Sequence, residues 1–302
     1  MFDKAKGLLA ALAAKRGKEV VGKGAYGVVY SGKPGTVIKQ IADETPQKIL
    51  NEINLQAKAA DLNIAPVLKE AQINQADPTI GGSITMQDLR KNYIPLGVPT
   101  NDVPFSGSRR HPGVTEISAG GHFNYYDPSL SSTQVTQAQV DTHKQLAQLA
   151  LNNIMLEDRH VGNIFVNKIS NRPMQIDFGM ARELKTPSQK AGALAYHVGN
   201  GLNAAGLNEE AKIFSQLVNE VGQFNFETNS YNNPEAALDM AKQGLSRLQK
   251  IKTPQVEQIA AVRQRQLSNA KKASLPLEQP AVQQRLNTWG EPIEKGYYGT
   301  PV

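Results

Sequence analysis

Cysteine is absent from the 302 residues of this chain. Its absence excludes disulfides, thiol nucleophiles and zinc sites built on Cys ligands. Long apolar runs are also missing, and none approaches the roughly 20 residues needed to span a bilayer. The apolar stretch near the start is followed by basic residues without a small-residue cleavage site, so we expect no secretory signal. These features predict a cytoplasmic protein without a transmembrane segment.

Concentrated charge is scarce as well. Only 20% of the residues are charged, with a net charge of +6, and the densest basic spots are the dipeptides Arg109-Arg110 and Lys271-Lys272. Nucleic-acid-binding proteins usually cluster Lys and Arg on one face or in one run. We therefore expect no nucleic-acid partner, and the mild basic excess suits an anionic small ligand.

The first part of the chain is rich in β-forming residues. Residues 19–41 contain three short runs of this kind, separated by glycine turns, which predicts a meander. A helix is expected next, with Thr45 as its N-cap and Pro46 in its first turn. Two more strands follow it. Residues 95–132 are then rich in Gly, Pro, Ser and Asn, which predicts a long functional loop or a disordered insertion.

Helical patterns dominate the remainder. A helix is predicted over 134–153, two short strands surround a turn near residue 170, and residues 186–250 read as helices with Phe214, Leu217 and Val218 on one stripe. The sequence predicts four regions. Residues 1–18 form an amphipathic helix that packs on the next domain or lies on a membrane surface, and residues 19–92 form a strand-rich part. Residues 93–250 form a mostly helical part with the long loop, and residues 251–302 form a tail.

The stretch GKGAYGVV spaces Gly22, Gly24 and Gly27 as G-x-G-x-x-G and continues into strand-forming residues. One interpretation is an ordinary tight hairpin. The other is a glycine hairpin whose backbone N–H groups lie over phosphates. Further along, Lys39 interrupts an apolar strand, where burial is costly unless an anion pairs with it. It either points to solvent or meets Glu52 on the following helix.

The stretch LEDRHVGNIFVN places Asp158 and Asn163 in a loop before an apolar strand, and Asp177 follows after a predicted hairpin. A surface turn would explain such polarity. Alternatively, Asn163 and Asp177 supply the oxygen ligands that Mg²⁺ prefers, with substrate phosphates completing the coordination. Asp158 would then be free to orient a hydroxyl and take its proton.

Together these motifs resemble those of the protein-kinase superfamily over residues 20–184. The resemblance implies an α+β, two-lobed protein-kinase-like fold, with a small β-rich N-lobe carrying one helix and a mostly helical C-lobe. It also implies ATP and Mg²⁺ as cofactors, with Asn163 and Asp177 as metal ligands. The implied catalytic residues are Lys39, Glu52, Asp158 and His160.

The same resemblance implies a nucleotide site. The phosphates would contact the glycine-rich hairpin and Lys39, and the adenine would face a hinge whose gatekeeper is Met86. The expected nucleotide-binding residues are Gly22, Lys23, Gly24, Gly27, Val29, Lys39, Met86, Gln87, Asp88 and Leu89.

Departures from the usual kinase pattern are informative. Leu156-Glu157 stands where His-Arg normally precedes the catalytic Asp, no Ala-Pro-Glu follows Asp177-Phe178-Gly179, and His160 replaces the Lys of Ser/Thr kinases. The loop D-R-H-x-x-N is similar to that of phosphoinositide kinases, and D-x-H-x-G-N to that of aminoglycoside and choline phosphotransferases. The mixture resembles compact atypical kinases of bacterial effectors and phages.

We therefore expect an ATP-dependent kinase that phosphorylates a protein, on Ser or Thr rather than Tyr, without standard activation-loop control. Its location would be the host cytoplasm if it is a delivered effector or a phage protein. Two alternatives stay open. One is a small-molecule or lipid kinase, which His160 and Gly162 favour; the other is a non-catalytic kinase-like binding module. Nothing in the sequence indicates an oligomeric state.

Overall fold

The structure, a computed structural model, describes residues 19–24, 27–42, 44–74, 81–99, 117–119, 122–127 and 129–251. Its N-terminal part is a five-stranded antiparallel sheet in the order β1-β2-β3-β5-β4. Alternate residues of β3 and β5 point to one packed face. The strands are β1 (Val20–Gly24), β2 (Gly27–Ser31), β3 (Thr36–Ile41), β4 (Leu68–Ile73) and β5 (Gly82–Gln87).

One helix, α1 (Pro46–Asp61), packs against that face. The Thr45 hydroxyl accepts a hydrogen bond from the Lys48 N–H, and Pro46 opens the first turn, as the sequence predicts. Ile49 lies in an apolar cluster with residues of β3 and β5. The helix is therefore fixed across the sheet, with its buried side toward β3.

In the segment 95–132, expected to be a functional loop or a disordered insertion, the described residues form three short strands. They are β7 (Gly97–Pro99), β8 (Ile117–Ala119) and β9 (His122–Tyr126), and they pair in the order β7-β9-β8. Strands of three to five residues are too short to stand out in a sequence so rich in glycine and proline. β7 and β9 both contact the turn Val161–Asn163.

Two small antiparallel sheets support the segment around residues 157–163. β10 (Ile154–Leu156) pairs with β13 (Ala181–Glu183), and β11 (Ile164–Asn167) pairs with β12 (Pro173–Gln175) and β6 (Tyr93–Pro95). Between them, the Ile176 N–H donates to the Asn163 carbonyl over 2.9 Å. Residues 157–163 and 176–180 therefore lie side by side.

Helices build the remainder of the described chain. They are α2 (Ser132–Leu151), α3 (Pro187–Ala204), α4 (Asn208–Gly222) and α5 (Pro234–Gln249), with a hairpin of β14 (Phe224–Asn225) and β15 (Ser230–Tyr231) before α5. Small residues allow close packing of α2, α3 and α5 in one apolar core. Phe214 and Val218 are buried there as predicted, but Leu217 is 40% exposed, because it lies off the packed face of α4.

The α+β architecture is confirmed: an antiparallel N-terminal sheet precedes mostly helical chain. Its division into two lobes stays a prediction. The predicted N-terminal amphipathic helix (1–18) lies outside the described residues, as does the tail apart from Ile251. Within the described ranges, no helix is long and apolar enough to cross a membrane.

Candidate active site

Lys39 is the centre of a buried charge cluster. The alternation of β3 turns Val37, Lys39 and Ile41 to the packed face, so the lysine does not point to solvent. Its Nζ lies 2.6 Å from Oε1 of Glu52 and 2.7 Å from Oδ1 of Asp177. Lys39 is 7% exposed and Glu52 is 4% exposed. The structure thus brings together three predicted site residues that are far apart in the sequence.

Electrostatics keep this lysine charged. Burial alone would lower the pKa of the Lys39 ammonium, but the charges of Asp177 and Glu52, together with their hydrogen bonds, raise it well above its usual value. The cluster therefore holds a permanent ammonium at the place where β3, α1 and the segment after β12 meet.

Asp177 adopts an unusual backbone conformation. Its φ is +61°, in the left-handed region that most side chains avoid and that Asp tolerates better than larger residues. Its Oδ1 also accepts from the Gly179 N–H over 3.2 Å. A Cβ at Gly179 would lie 3.2 Å from that same oxygen and 3.4 Å from Oε2 of Glu52. Glycine at this position thus leaves room for the cluster.

Phe178 anchors the segment that carries Asp177. Its side chain is fully buried in an apolar cluster with Leu55 of α1, Leu149 of α2 and Leu156 of β10. Because this cluster joins α1 to the helical part, it couples the position of Glu52 on α1 to that of Asp177. The Asn51 side chain adds a second link, since it donates to the Ala181 carbonyl over 3.1 Å.

Asp158, His160 and Asn163 form a hydrogen-bonded loop beside this cluster. The Asn163 amide Nδ2 donates to the Asp158 carbonyl at 3.1 Å and to its Oδ2 at 3.3 Å. Nε2 of His160 lies 3.6 Å from the same Oδ2. The contact with His160, followed by the amide of Asn163 and the charge of Lys39, lowers the pKa of Asp158, so its carboxylate is ionised at neutral pH.

The other face of His160 has a structural contact. Its Nδ1 accepts from the Gly162 N–H over 3.1 Å and so caps the turn Val161–Asn163. A ring that accepts at Nδ1 carries its proton on Nε2, which faces Asp158. In this arrangement the ring is neutral, and it orients both Asp158 and the turn that carries Asn163.

The glycine hairpin is formed by β1 and β2, with Gly24 opposite Gly27. A Cβ at Gly27 would collide with the carbonyl oxygen of Gln40, so only glycine fits there. At Gly22 nothing lies within 4 Å of a Cβ position, and packing does not require glycine. Val29 lies opposite Lys39 in the β2–β3 pair, on the adjacent strand.

At the predicted hinge, Met86 is buried, and its sulfur is 3.5 Å from Nε2 of Gln56 on α1. Gln87 donates its N–H to the Val67 carbonyl. The Asp88 carboxylate binds Arg90, whose Nη2 lies 2.8 Å away, and Leu89 is buried. Asp88 therefore turns its side chain to Arg90.

The connection after Gly179 is short, because α3 already begins at Pro187 and Thr186 is its N-cap. Within it, Arg182 forms an ion pair with Glu157, the residue that stands where kinases carry Arg. The pairing of β10 with β13 brings the two side chains together. Sequence reasoning did not find this contact, since it depends on that strand pairing.

Asn163 and Asp177, the two predicted metal ligands, lie on adjacent segments that the hydrogen bond from the Ile176 N–H to the Asn163 carbonyl joins. With Nδ2 of Asn163 engaged by Asp158, its amide oxygen is left to act as a ligand, and Asp177 adds a carboxylate. Elsewhere in the described ranges, no group of three or more His, Asp or Glu side chains could hold a metal. Two oxygen donors suit Mg²⁺ that takes its remaining ligands from phosphates and water.

No model of a known protein family matches this chain, and no curated protein matches it. Among solved structures it is similar to the kinase PK-1 of Cydia pomonella granulovirus, with 17% sequence identity and a TM-score of 0.38. The similarity covers 60% of this chain and 61% of the viral kinase, less than two thirds of either. So distant a likeness does not assign an activity, which has to be argued from the geometry of the site.

Proposed function

We propose that the protein is an ATP- and Mg²⁺-dependent phosphotransferase that phosphorylates a protein on Ser or Thr in preference to Tyr. One observation carries the proposal: the buried Lys39 bridges Glu52 and Asp177, with the ionised Asp158 and its partner Asn163 alongside. Phosphoryl transfer needs charge neutralisation and positioning more than covalent catalysis. This cluster supplies both.

On the donor side, Lys39 would contact the α- and β-phosphates while Glu52 holds its direction. The hairpin of β1 and β2 would cover the phosphates, and Asn163 and Asp177 would hold Mg²⁺. When bound, the cation would offset the negative charge of the phosphate oxygens. The φ of +61° at Asp177 aims its carboxylate into the cluster from a chain that Phe178 anchors.

On the acceptor side, Asp158 would orient the substrate hydroxyl and receive its proton. The hydroxyl oxygen forms a bond to the γ-phosphorus, the bond from that phosphorus to the β–γ bridging oxygen breaks, and ADP leaves with the electron pair. The lowered pKa of Asp158 keeps it ionised, as a proton acceptor requires. His160 would hold Asp158 in place and face the transferring group.

A second candidate is a kinase for a small alcohol or a lipid headgroup. The short connection from Gly179 to Pro187 favours it, because little chain is present there to support an extended peptide. The loop D-x-H-x-G-N points the same way.

One experiment separates these functions. The purified full chain is incubated with γ-labelled ATP, Mg²⁺ and a cell lysate, and the label is then located in protein, lipid and water-soluble fractions. We expect label on protein Ser or Thr, and none with Asp177→Asn. Label in a small molecule or lipid would establish the second candidate, and equal background with both proteins would indicate a non-catalytic module.

A further inference from the structure

Arg159 directly follows Asp158, yet neither the donor side nor the metal site uses it. Its side chain extends toward α3, where Cζ lies 4.7 Å from the centre of the Tyr196 ring. Stacking of a planar guanidinium on an aromatic ring is favourable and fixes the direction of the arginine fork. Tyr196 is 39% exposed, so the stack lies at the surface beside Asp158.

The charge of Arg159 is not balanced by an acid within the described part of the chain. The arginines at 90, 182 and 247 each form an ion pair with a carboxylate, but Arg159 forms none. Its Nε is buried without a hydrogen-bond partner. Arg159 as a whole is half-buried, so part of its side chain reaches solvent.

The residues of α2 and α3 that lie beside Arg159 supply no negative charge. His143 of α2 is half-buried and His197 of α3 is buried there, and burial, followed by the charge of Arg159, lowers the pKa of both. Both rings are therefore neutral at physiological pH. The sequence of α3, PSQKAGALAYHVGNGLNA, contains no acidic residue. A partly buried guanidinium without an anion is costly, and an anion brought by a ligand would remove that cost.

The position of the stack relates this anion to the reaction. The nucleotide would occupy the side of Asp158 that faces Lys39, which would leave the side of Arg159 to the acceptor. Because Arg159 directly follows Asp158 in the chain, an anion on Arg159 and a hydroxyl on Asp158 would come from residues close to each other in the substrate. The arginine fork matches a carboxylate or a phosphate with two parallel hydrogen bonds.

We infer that Arg159, stacked on Tyr196, is a specificity-determining residue that binds an acidic side chain of the protein substrate, close in sequence to the Ser or Thr that is phosphorylated. The inference rests on the proposed function and adds the substrate class. The shared chemistry is an anionic group, which Glu, Asp or a phosphorylated residue could supply.

The test compares serine peptides in which each flanking position in turn holds Glu or the isosteric Gln, with a third series that carries phosphoserine. For the wild-type protein, one position should favour Glu or phosphoserine over Gln by roughly ten- to a hundred-fold in kcat/KM. The series with the larger ratio identifies the source of the anion. In Arg159→Gln the ratio should fall to about one. Arg159→Lys should retain part of it, as expected for charge without the planar fork.

Arg172→Gln is the matched control. It removes the same charge from an exposed site at the turn of the β11–β12 hairpin, where the Arg172 side chain donates to the Asn63 carbonyl. The ratio should persist there. Tyr196→Leu should reduce it and Tyr196→Phe should not, because Phe keeps the stacking ring.

A binding measurement separates this inference from the proposed function. The same Glu and Gln peptides are titrated into isotope-labelled protein, and the side-chain Nε–Hε signal of Arg159 is followed by NMR. Selective binding of an acidic peptide without any phosphoryl transfer would overturn the proposed function and support the subsite. Transfer with equal rates on Glu, Gln and phosphoserine peptides, or a preference that survives in Arg159→Gln, would overturn the inference.

Discussion

Two sides of the candidate site differ in how completely the chain balances its own charges. On the donor side, the Lys39 ammonium contacts two carboxylates at 2.6 and 2.7 Å and is almost fully buried. On the acceptor side, the side chain of Asp158 is 38% exposed and Arg159 has no acidic partner in the described chain. A nucleotide always brings the same phosphates, so its site can be formed in advance. Under the proposed function, the acceptor side would be completed by a substrate.

The largest expected effect comes from removing the ammonium group on the donor side. Lys39→Met leaves Glu52 buried beside Asp177 without a cation, which should lower the free energy of unfolding by about 3–5 kcal/mol and abolish transfer. The double variant Lys39→Met/Glu52→Leu should regain most of the stability but no activity. Chemical denaturation and a transfer assay check both. A single variant as stable and active as wild type would mean that the pair is not part of the site.

On the acceptor side, variants of His160 can show whether this residue positions Asp158 and the turn or stabilises charge. His160→Ala should lower kcat by roughly ten- to a thousand-fold. Asn can mimic the acceptor at Nδ1, whereas Gln can mimic the donor at Nε2 that faces Asp158. If capping of the turn is what matters, Asn should restore more activity than Gln. Recovery by Lys instead would establish a cation at this position, contrary to the neutral ring that the hydrogen bond from Gly162 favours.

His143, which lies beside Arg159, should make the free energy of unfolding depend on pH. The pKa of His143 falls from its usual 6.5 to about 4, mainly because the ring is buried. Between these values the unfolded chain binds a proton that the folded chain does not, so stability declines as the pH falls. The loss from His143 should reach roughly 3 kcal/mol near pH 4.

Denaturation curves at several pH values, for wild type and His143→Gln, test this. The variant should show the smaller decline between neutral pH and about pH 4. Equal slopes for the two proteins would contradict the buried, neutral state of this ring.

The smallest expected effect concerns the ion pair between Glu157 and Arg182. The pair of Glu157 and Arg182 is half-exposed, so Arg182→Gln should cost less than about 1 kcal/mol of stability. Since α3 begins directly after this connection, we also expect no activation by phosphorylation there. Phosphatase treatment should leave the transfer rate unchanged. A large drop that recovers on rephosphorylation would contradict this.

The donor side could be predicted from the sequence more fully than the acceptor side. Strand alternation turns Lys39 inward, the helical period turns Glu52 to the same side, and the segment around Asp177 has a recognisable pattern. These local rules fix directions without knowledge of distant contacts.

The acceptor side could not be predicted from the sequence in the same way. The environment of Arg159 depends on His143, Tyr196 and His197, which come together only when α2 packs on α3. The ion pair of Arg182 likewise depends on β10 meeting β13. Such contacts follow from the tertiary fold and leave no periodic signal.

The most direct test of the account uses Asp158, where the two sides meet. Asp158→Asn keeps the size of the side chain but removes the carboxylate that would receive the proton. Calorimetric titration with ATP and Mg²⁺ should give nearly the wild-type affinity, while the rate of phosphoryl transfer should fall roughly a hundred-fold or more. Unchanged transfer with Asn at this position would contradict the proposed role of Asp158 and with it the division into a closed donor side and an open acceptor side.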